Sequence, residues 1–318
     1  MPITGPASYV STTEEFEQHW ATANAMLGAG NEIVLPDGTS QAGLVAKKGE
    51  LVAKRADVQA KLNVKEVARG DLELKKAALL ERIVQFNEKV RAFFPGSKWI
   101  NALPNAPGQA EGQSRISDPL DDANSLWLQI NADPGTAAAV TLLGGYTQAT
   151  FDTDIAALKA AYTTLNGAET TLKVTREERN DLQEEIYARL KSYRAVLPTF
   201  FAKDDGMVLS LPRLTPLPGS TPAAITASGE WVPTPGHGLI TWTASSDPAL
   251  NHYDIRMTPG PVYDADLDSK IGEVGPGLNS FTTLIGLEAP GNTASYRVFV
   301  ILSSGNESGS NSVVITRP

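Results

Sequence analysis

The chain has 318 residues, 42% of them hydrophobic, with no cysteine and a formal charge of −9, which is enough apolar content for two or three separate cores. Such an acidic chain is unsuited to phosphate backbones, so no nucleic-acid partner is expected; no run of about 18 apolar residues is present either, so neither is membrane insertion. Without cysteine there are no disulfides, thiolate metal sites or cysteine nucleophile, and stability rests on packing.

Residues 1–11 read as an N-terminal arm. Met1-Pro2-Ile3-Thr4-Gly5-Pro6 lacks the basic and apolar regions of a secretory signal, which leads to the expectation of a cytoplasmic protein. Display at the cell surface or outside the cell by another route is the alternative.

From residue 12 onward the chain repeats itself at an offset of about 107 positions. That shift lays His19-Trp20 and Asn24-Ala25 on Leu126-Trp127 and Asn131-Ala132, and the Leu35–Ala42 stretch on Leu142–Ala149. It also pairs Arg82 with Arg189, Phe86 with Tyr193 and Phe94 with Phe201, and after a slip of one residue Leu103-Pro104 meets Leu211-Pro212. The two copies span about residues 12–105 and 118–213, with a linker over 106–117.

Each copy begins with a short helix. Thr12 and Glu15 have capping-box spacing in the first, and Asp118-Pro119 offers an N-cap with proline at the first helical position in the second. Trp20 and Trp127 fall on the apolar faces of these helices. A short extended stretch follows, turning at Gly38 or Gly145, where a left-handed backbone position favours glycine; Ser40 and Thr147 stand where they can cap the next helix.

That next helix is predicted to run for about 50 residues in each copy. Copy one carries its apolar stripe through Leu44, Leu51, Val58, Leu62, Val67, Leu79, Ile83, Phe86 and Val90. Copy two uses Phe151, Ile155, Leu158, Tyr162, Leu165 and Leu172, and after a polar middle Leu182, Ile186, Leu190, Tyr193 and Leu197. A continuous helix of that length would reach roughly 75 Å. The alternative is a fold-back near Gly70-Asp71 or Asn180-Asp181. Pro95-Gly96 and Pro198 end the two patterns.

Residues 214–222 form a proline-rich linker expected to be semi-extended. Beyond it, alternating runs at 224–231, 238–244, 252–257, 280–284, 295–302 and 312–316 are separated by turn signals, as in an antiparallel sandwich. The carrying residues are Trp231, Leu239-Ile240-Thr241-Trp242, Asp247-Pro248, Tyr253-Asp254-Ile255-Arg256, Leu287, Pro290-Gly291 and Tyr296-Arg297-Val298-Phe299-Val300. On these, residues 223–318 resemble a fibronectin type III domain. The resemblance implies that Trp242 lies in the core and that Tyr296 takes the corner-tyrosine position. The fold class is thus multidomain, α plus β: a duplicated, coiled-coil-like long-helix unit followed by an immunoglobulin-like sandwich.

Chemistry is thinly represented. His19, His237 and His252 are far apart in sequence and lack metal-ligand spacing. Asp121-Asp122, Glu177-Glu178, Glu184-Glu185 and Asp204-Asp205 are adjacent pairs, which diverge on a helix. Asp264, Asp266 and Asp268 alternate as calcium ligands can, but without the glycine and final glutamate of a helix-loop-helix site; a polar edge or loop is the better reading. No catalytic, cofactor or metal residue is therefore assigned. The residues singled out, Trp20, Trp127, Gly38, Gly145, Trp242 and Tyr296, have structural roles. The expected function is a non-enzymatic scaffold that binds copies of itself through the helical repeats. The alternative is a module that recognises a glycan, peptide or protein partner through sandwich loops, with Trp231 and Tyr263 as exposed anchors.

Overall fold

The computed structural model describes every residue except Met1, Ala7, Ala137, Leu217 and Ser220; parts of the arm, the second copy and the linker therefore lie outside the described residues. Among the described residues, five α-helices precede eight strands: α1 (Ser8–Leu27), α2 (Gln41–Phe93), α3 (Gln113–Ala132), α4 (Gln148–Val196) and α5 (Gly206–Leu209), then β1 (Ala227–Val232), β2 (His237–Trp242), β3 (Leu250–Pro259), β4 (Ser269–Val274), β5 (Ser280–Thr283), β6 (Thr293–Leu302), β7 (Glu307–Gly309) and β8 (Val313–Thr316).

The long helices are continuous, 53 residues in α2 and 49 in α4. Neither breaks at Gly70-Asp71 or Asn180-Asp181, because a single interior glycine costs a helix only about 1 kcal/mol and no proline interrupts either run. Buried positions keep the three-four rhythm: Leu79, Ile83, Phe86 and Val90 in α2, and Ile186, Leu190, Tyr193 and Leu197 around the end of α4. Val67 departs from the expected stripe and is 74% exposed. The backbone N–H groups of Gly43 and Thr150 each donate to the side chains of Ser40 and Thr147 at 3.3 Å, which caps both long helices.

Both short helices start earlier than their sequence signals. Helix α1 begins at Ser8, whose hydroxyl accepts from the Thr4 and Gly5 N–H groups, so Thr12 is a buried interior residue and not a cap. Helix α3 begins at Gln113, within the expected linker, and Pro119 lies inside it. Starting there places Ile116 and Leu120 together in the core; burying such side chains is worth about 2 kcal/mol each, which offsets the hydrogen bond that proline cannot donate.

By packing, the chain forms two compact units, residues 1–57 with 177–318, and residues 58–176. In the first, the helical core joins Phe16 and Trp20 of α1 and Leu44 and Leu51 of α2 to Ile186, Leu190 and Tyr193 of α4. In the second, Leu120, Trp127 and Ile130 of α3 and Phe151, Ile155 and Leu158 of α4 meet Leu79, Ile83 and Phe86 of α2. Each helical core thus combines the start of one copy with the end of the long helix of the other.

The same contacts recur 107 residues apart. Trp20 stacks on Tyr193 with centroids 4.6 Å apart, and Trp127 on Phe86 at 5.1 Å. The Trp20 indole donates to the Ile33 carbonyl at 3.3 Å, and Trp127 to Val140 at 3.0 Å. The amide oxygens of Asn24 and Asn131 accept from the N–H groups of Ile33 and Val140 at 2.9 and 2.8 Å. The turns that follow hold Gly38 and Gly145 at φ +82° and +73°.

The C-terminal part is a sandwich of two antiparallel sheets, ordered β1-β2-β5 and β4-β3-β6-β7, with β8 also paired to β6. Its core includes Ile240, Trp242, Tyr253, Ile255, Leu287, Tyr296, Val298 and Val300. Tyr296 is fully buried at the start of β6 and donates to the Ile285 carbonyl at 2.7 Å, the corner arrangement of immunoglobulin-like sandwiches. This is a fibronectin type III-like sandwich. Strands β4 and β7 were not expected from the sequence. Among the described residues, no helix is long and apolar enough to cross a membrane.

Candidate functional site

Strand β3 turns Tyr253, Ile255 and Met257 toward the sandwich core, so the alternation of a strand puts His252, Asp254 and Arg256 on the opposite face. That face is not open to solvent: Asp254 is fully buried and Arg256 nearly so. Register brings Glu273 of β4 opposite Asp254, and Lys270 opposite Arg256.

These groups close into an ion-pair network. The Lys270 ammonium lies 2.6 Å from Asp254 Oδ1 and 2.8 Å from Glu273 Oε2. His252 Nε2 stands 3.1 Å from Asp254 Oδ1 and 3.7 Å from Glu273. Arg256 grips Glu307 with both terminal nitrogens, at 3.0 and 2.6 Å, and its guanidinium stacks 4.0 Å from the Phe299 ring centroid. Burial alone would lower the Lys270 and Arg256 values, but the carboxylates outweigh it and raise both; hydrogen bonding to Lys270 in turn holds Glu273 below the usual carboxylate range.

His252, Asp254 and Glu273 form the one group among the described residues whose ligand atoms converge as metal ligands would, within 4.8 Å of one another. The donor set does not fit a metal, because the Lys270 ammonium already bonds both carboxylates and a second cation there would meet its charge at contact distance. A network in which every carboxylate is paired to a base fixes shape.

The acidic run of residues 264–268 lies in the loop before β4, and its carboxylates diverge. The Asp268 carboxylate is buried and accepts the Tyr263 hydroxyl hydrogen bond; burial pushes its pKa up, with that bond and Arg256 and Arg55 acting against the shift. Asp266 faces Arg179, 3.6 Å from its guanidinium. Arg179 also donates to the Asp266 carbonyl at 3.1 Å, and Arg55 to the Asp268 carbonyl at 2.5 Å. The same Arg55 reaches the Pro6 carbonyl at 3.1 Å, which Gln183 also contacts at 3.2 Å. The sandwich is therefore seated on α2 and α4 within its own unit. The linker takes part: Leu214 is buried in the helical core, and its carbonyl accepts from Ile3 N–H at 2.9 Å.

The sequence-selected residues do not come together as a site. Trp20 and Trp127 are each buried in their own core, Gly38 and Gly145 form turns, and Trp242 and Tyr296 lie in the sandwich. Trp231 and Tyr263, read as exposed anchors, are both half-buried; Arg317 covers the Trp231 ring, and the Tyr263 hydroxyl is engaged by Asp268. His19 packs: its Nδ1 lies 2.8 Å from the Tyr193 hydroxyl and its Nε2 2.9 Å from the Met207 carbonyl. Of the acidic pairs, Asp121 meets Lys159 at 2.7 Å, Glu178 meets Lys54 at 2.9 Å and Glu185 meets Lys47 at 3.2 Å.

Sequence reasoning missed Arg55 and Arg179, although a signal was present. In α4 the spacing Leu172, Arg179, Ile186, Tyr193 puts an arginine on the apolar stripe, and in α2 Arg55 follows Leu51 by four and precedes Val58 by three. A charge on such a stripe needs a buried acceptor, and the sandwich loop supplies it.

No family model matches the chain, and no curated protein matches it. Among solved structures, the pectate lyase PelI from Erwinia chrysanthemi matches at 16% identity and TM-score 0.25, over 29% of this chain and 27% of that one. Pectate lyase Pel3 from Pectobacterium carotovorum matches at 15% identity and TM-score 0.25, over the same shares. An Fn3-like protein from Clostridium thermocellum matches at 22% identity and TM-score 0.24, over 31% of this chain and 96% of that one; that match covers the C-terminal region. The chain spans about a quarter of the length of the pectate lyases, and likenesses at these scores carry no argument about activity.

Proposed function

We propose that the chain is a non-enzymatic structural protein that assembles with copies of itself through its helical repeats, as a homo-oligomer or filament, and displays the β-sandwich. The observation that carries this reading is a set of apolar side chains exposed at matching repeat positions. Val67 and Val174, 107 residues apart, are 74% and 53% exposed; Phe93 and Phe200, again 107 apart, are 64% and 42% exposed. Neither pair serves the core of its own copy. Equivalent surfaces on one chain can bond to equivalent surfaces on neighbours and propagate when the rotation does not close. The paired carboxylates of the sandwich fit the non-enzymatic part, since they hold shape.

Negative-stain electron microscopy of the wild-type chain, beside a variant carrying Val67→Asp, Val174→Asp, Phe93→Ser and Phe200→Ser, tests the reading. Assemblies in the wild type that the variant loses, with its helical circular dichroism kept, are the expected outcome. Separate single chains in the wild-type images contradict it.

A further inference from the structure

Breaks in the repeat point to how the sandwich is held. At the 107-residue offset Arg55 corresponds to Tyr162, Arg179 to Leu72 and Gln183 to Lys76. In the unit of residues 58–176, Leu72 and Tyr162 belong to the apolar core. In the other unit the same two positions carry arginines, and their donors reach Pro6, Asp266 and Asp268. An arginine is planar and presents a fork of donors, which suits it to bridging several carbonyl oxygens at once.

Two guanidinium groups this close repel one another, and burial with Arg179 nearby holds Arg55 below its ordinary value. Buried charges of one sign are tolerated only where acceptors surround them. Beyond the Asn180 side chain, whose Oδ1 accepts from Arg179 at 2.8 Å, acceptors come from the loop around Asp266 and Asp268 and from the Pro6 carbonyl of the arm. Arg55 touches both. Among the described residues the arm is also tied by Ile3, which packs on the helical core and donates its N–H to Leu214, by the Thr4 and Gly5 N–H groups to Ser8, by Gln183 to the Pro6 carbonyl, and by the Pro2 ring against Gly305.

We propose that Arg55 and Arg179 form a latch for the sandwich, closed over by residues 2–6 as a strap, and that the sandwich releases from the helices without either part unfolding. The partner surface is the chain's own acidic loop, residues 264–268. The latch acts within one chain, whether or not copies assemble. Strap and loop share Arg55, so loosening one loosens the other.

Hydrogen exchange on the full chain tests it, with two variants. The first, Arg55→Tyr with Arg179→Leu, installs the pair that the other unit already packs. The second lacks residues 2–6. Both should speed exchange at the Leu267 amide, which donates to Asp264, by about tenfold, as expected for local opening. In the double substitution the Ile3 amide should accelerate as well. The amides of β6 should stay unchanged in both. Unchanged exchange at Leu267 after removal of the arm overturns the strap. Loss of β6 protection together with the loop, in either variant, overturns the latch, because sandwich and helices would then open only as one cooperative body.

Discussion

Tyr296 and His19 show how single side chains set their surroundings. The Tyr296 hydroxyl is buried and donates to a carbonyl eleven residues upstream, so Tyr296→Phe keeps the ring and orphans an acceptor. It should lower stability by about 1 kcal/mol in urea unfolding; an unchanged midpoint would mean that the corner bond adds nothing here. His19 is held neutral by contrast. Burial keeps it below its ordinary value of 6.5, the bond to Met207 acting the other way. A histidine with a depressed folded value stabilises the fold when neutral: the contribution is complete above about pH 6.5 and is lost as pH falls through the lower folded value. The stability gap between wild type and His19→Gln should therefore shrink on acidification below that pH. A gap that stays constant from pH 8 to pH 5 would contradict the assignment.

At the scale of elements, most of the fold was legible and the reasons for the rest are physical. The helices α2 and α4 could be read because Leu79, Ile83, Phe86 and Val90, or Ile186, Leu190, Tyr193 and Leu197, repeat at helical spacing with no proline between them. Their continuity past Gly70 leads to a prediction. Gly70 and Gly167 are exposed on helices, and a methyl group added at either meets nothing within 4 Å. Gly70→Ala and Gly167→Ala should each stabilise the protein by about 0.5–1 kcal/mol, read from thermal or urea unfolding; a loss of stability would mean that these positions are not regular helix. The starts of α1 and α3 were misread because local caps at Thr12 and Asp118 compete with the burial of residues upstream, and burial prevailed. Strand β4 was missed because Ser-Lys-Ile-Gly-Glu-Val has glycine and charges where alternation is sought, and it occupies a sheet edge where such residues are tolerated. The ion-pair network of Asp254, Lys270 and Glu273 depends on β3–β4 register, which composition does not encode. Arg55 and Arg179 were legible in principle, as charges on an apolar stripe.

For the whole molecule, duplication is the organising feature. Two copies of one helical pattern supply both helical cores, each built with an indole, an asparagine clasp and a glycine turn in matching places. Two matched positions depart from this: Arg55 and Arg179 stand in one unit where the other keeps Tyr162 and Leu72, and there the sandwich is seated. Outside the cores, Val67, Val174, Phe93 and Phe200 remain apolar and exposed in register, and it is through these that we propose copies of the chain assemble. Sedimentation equilibrium of the wild-type chain over a wide concentration range is the most direct measurement of that claim. The account predicts a mass above that of one chain, rising with concentration. A single-chain mass throughout would contradict it.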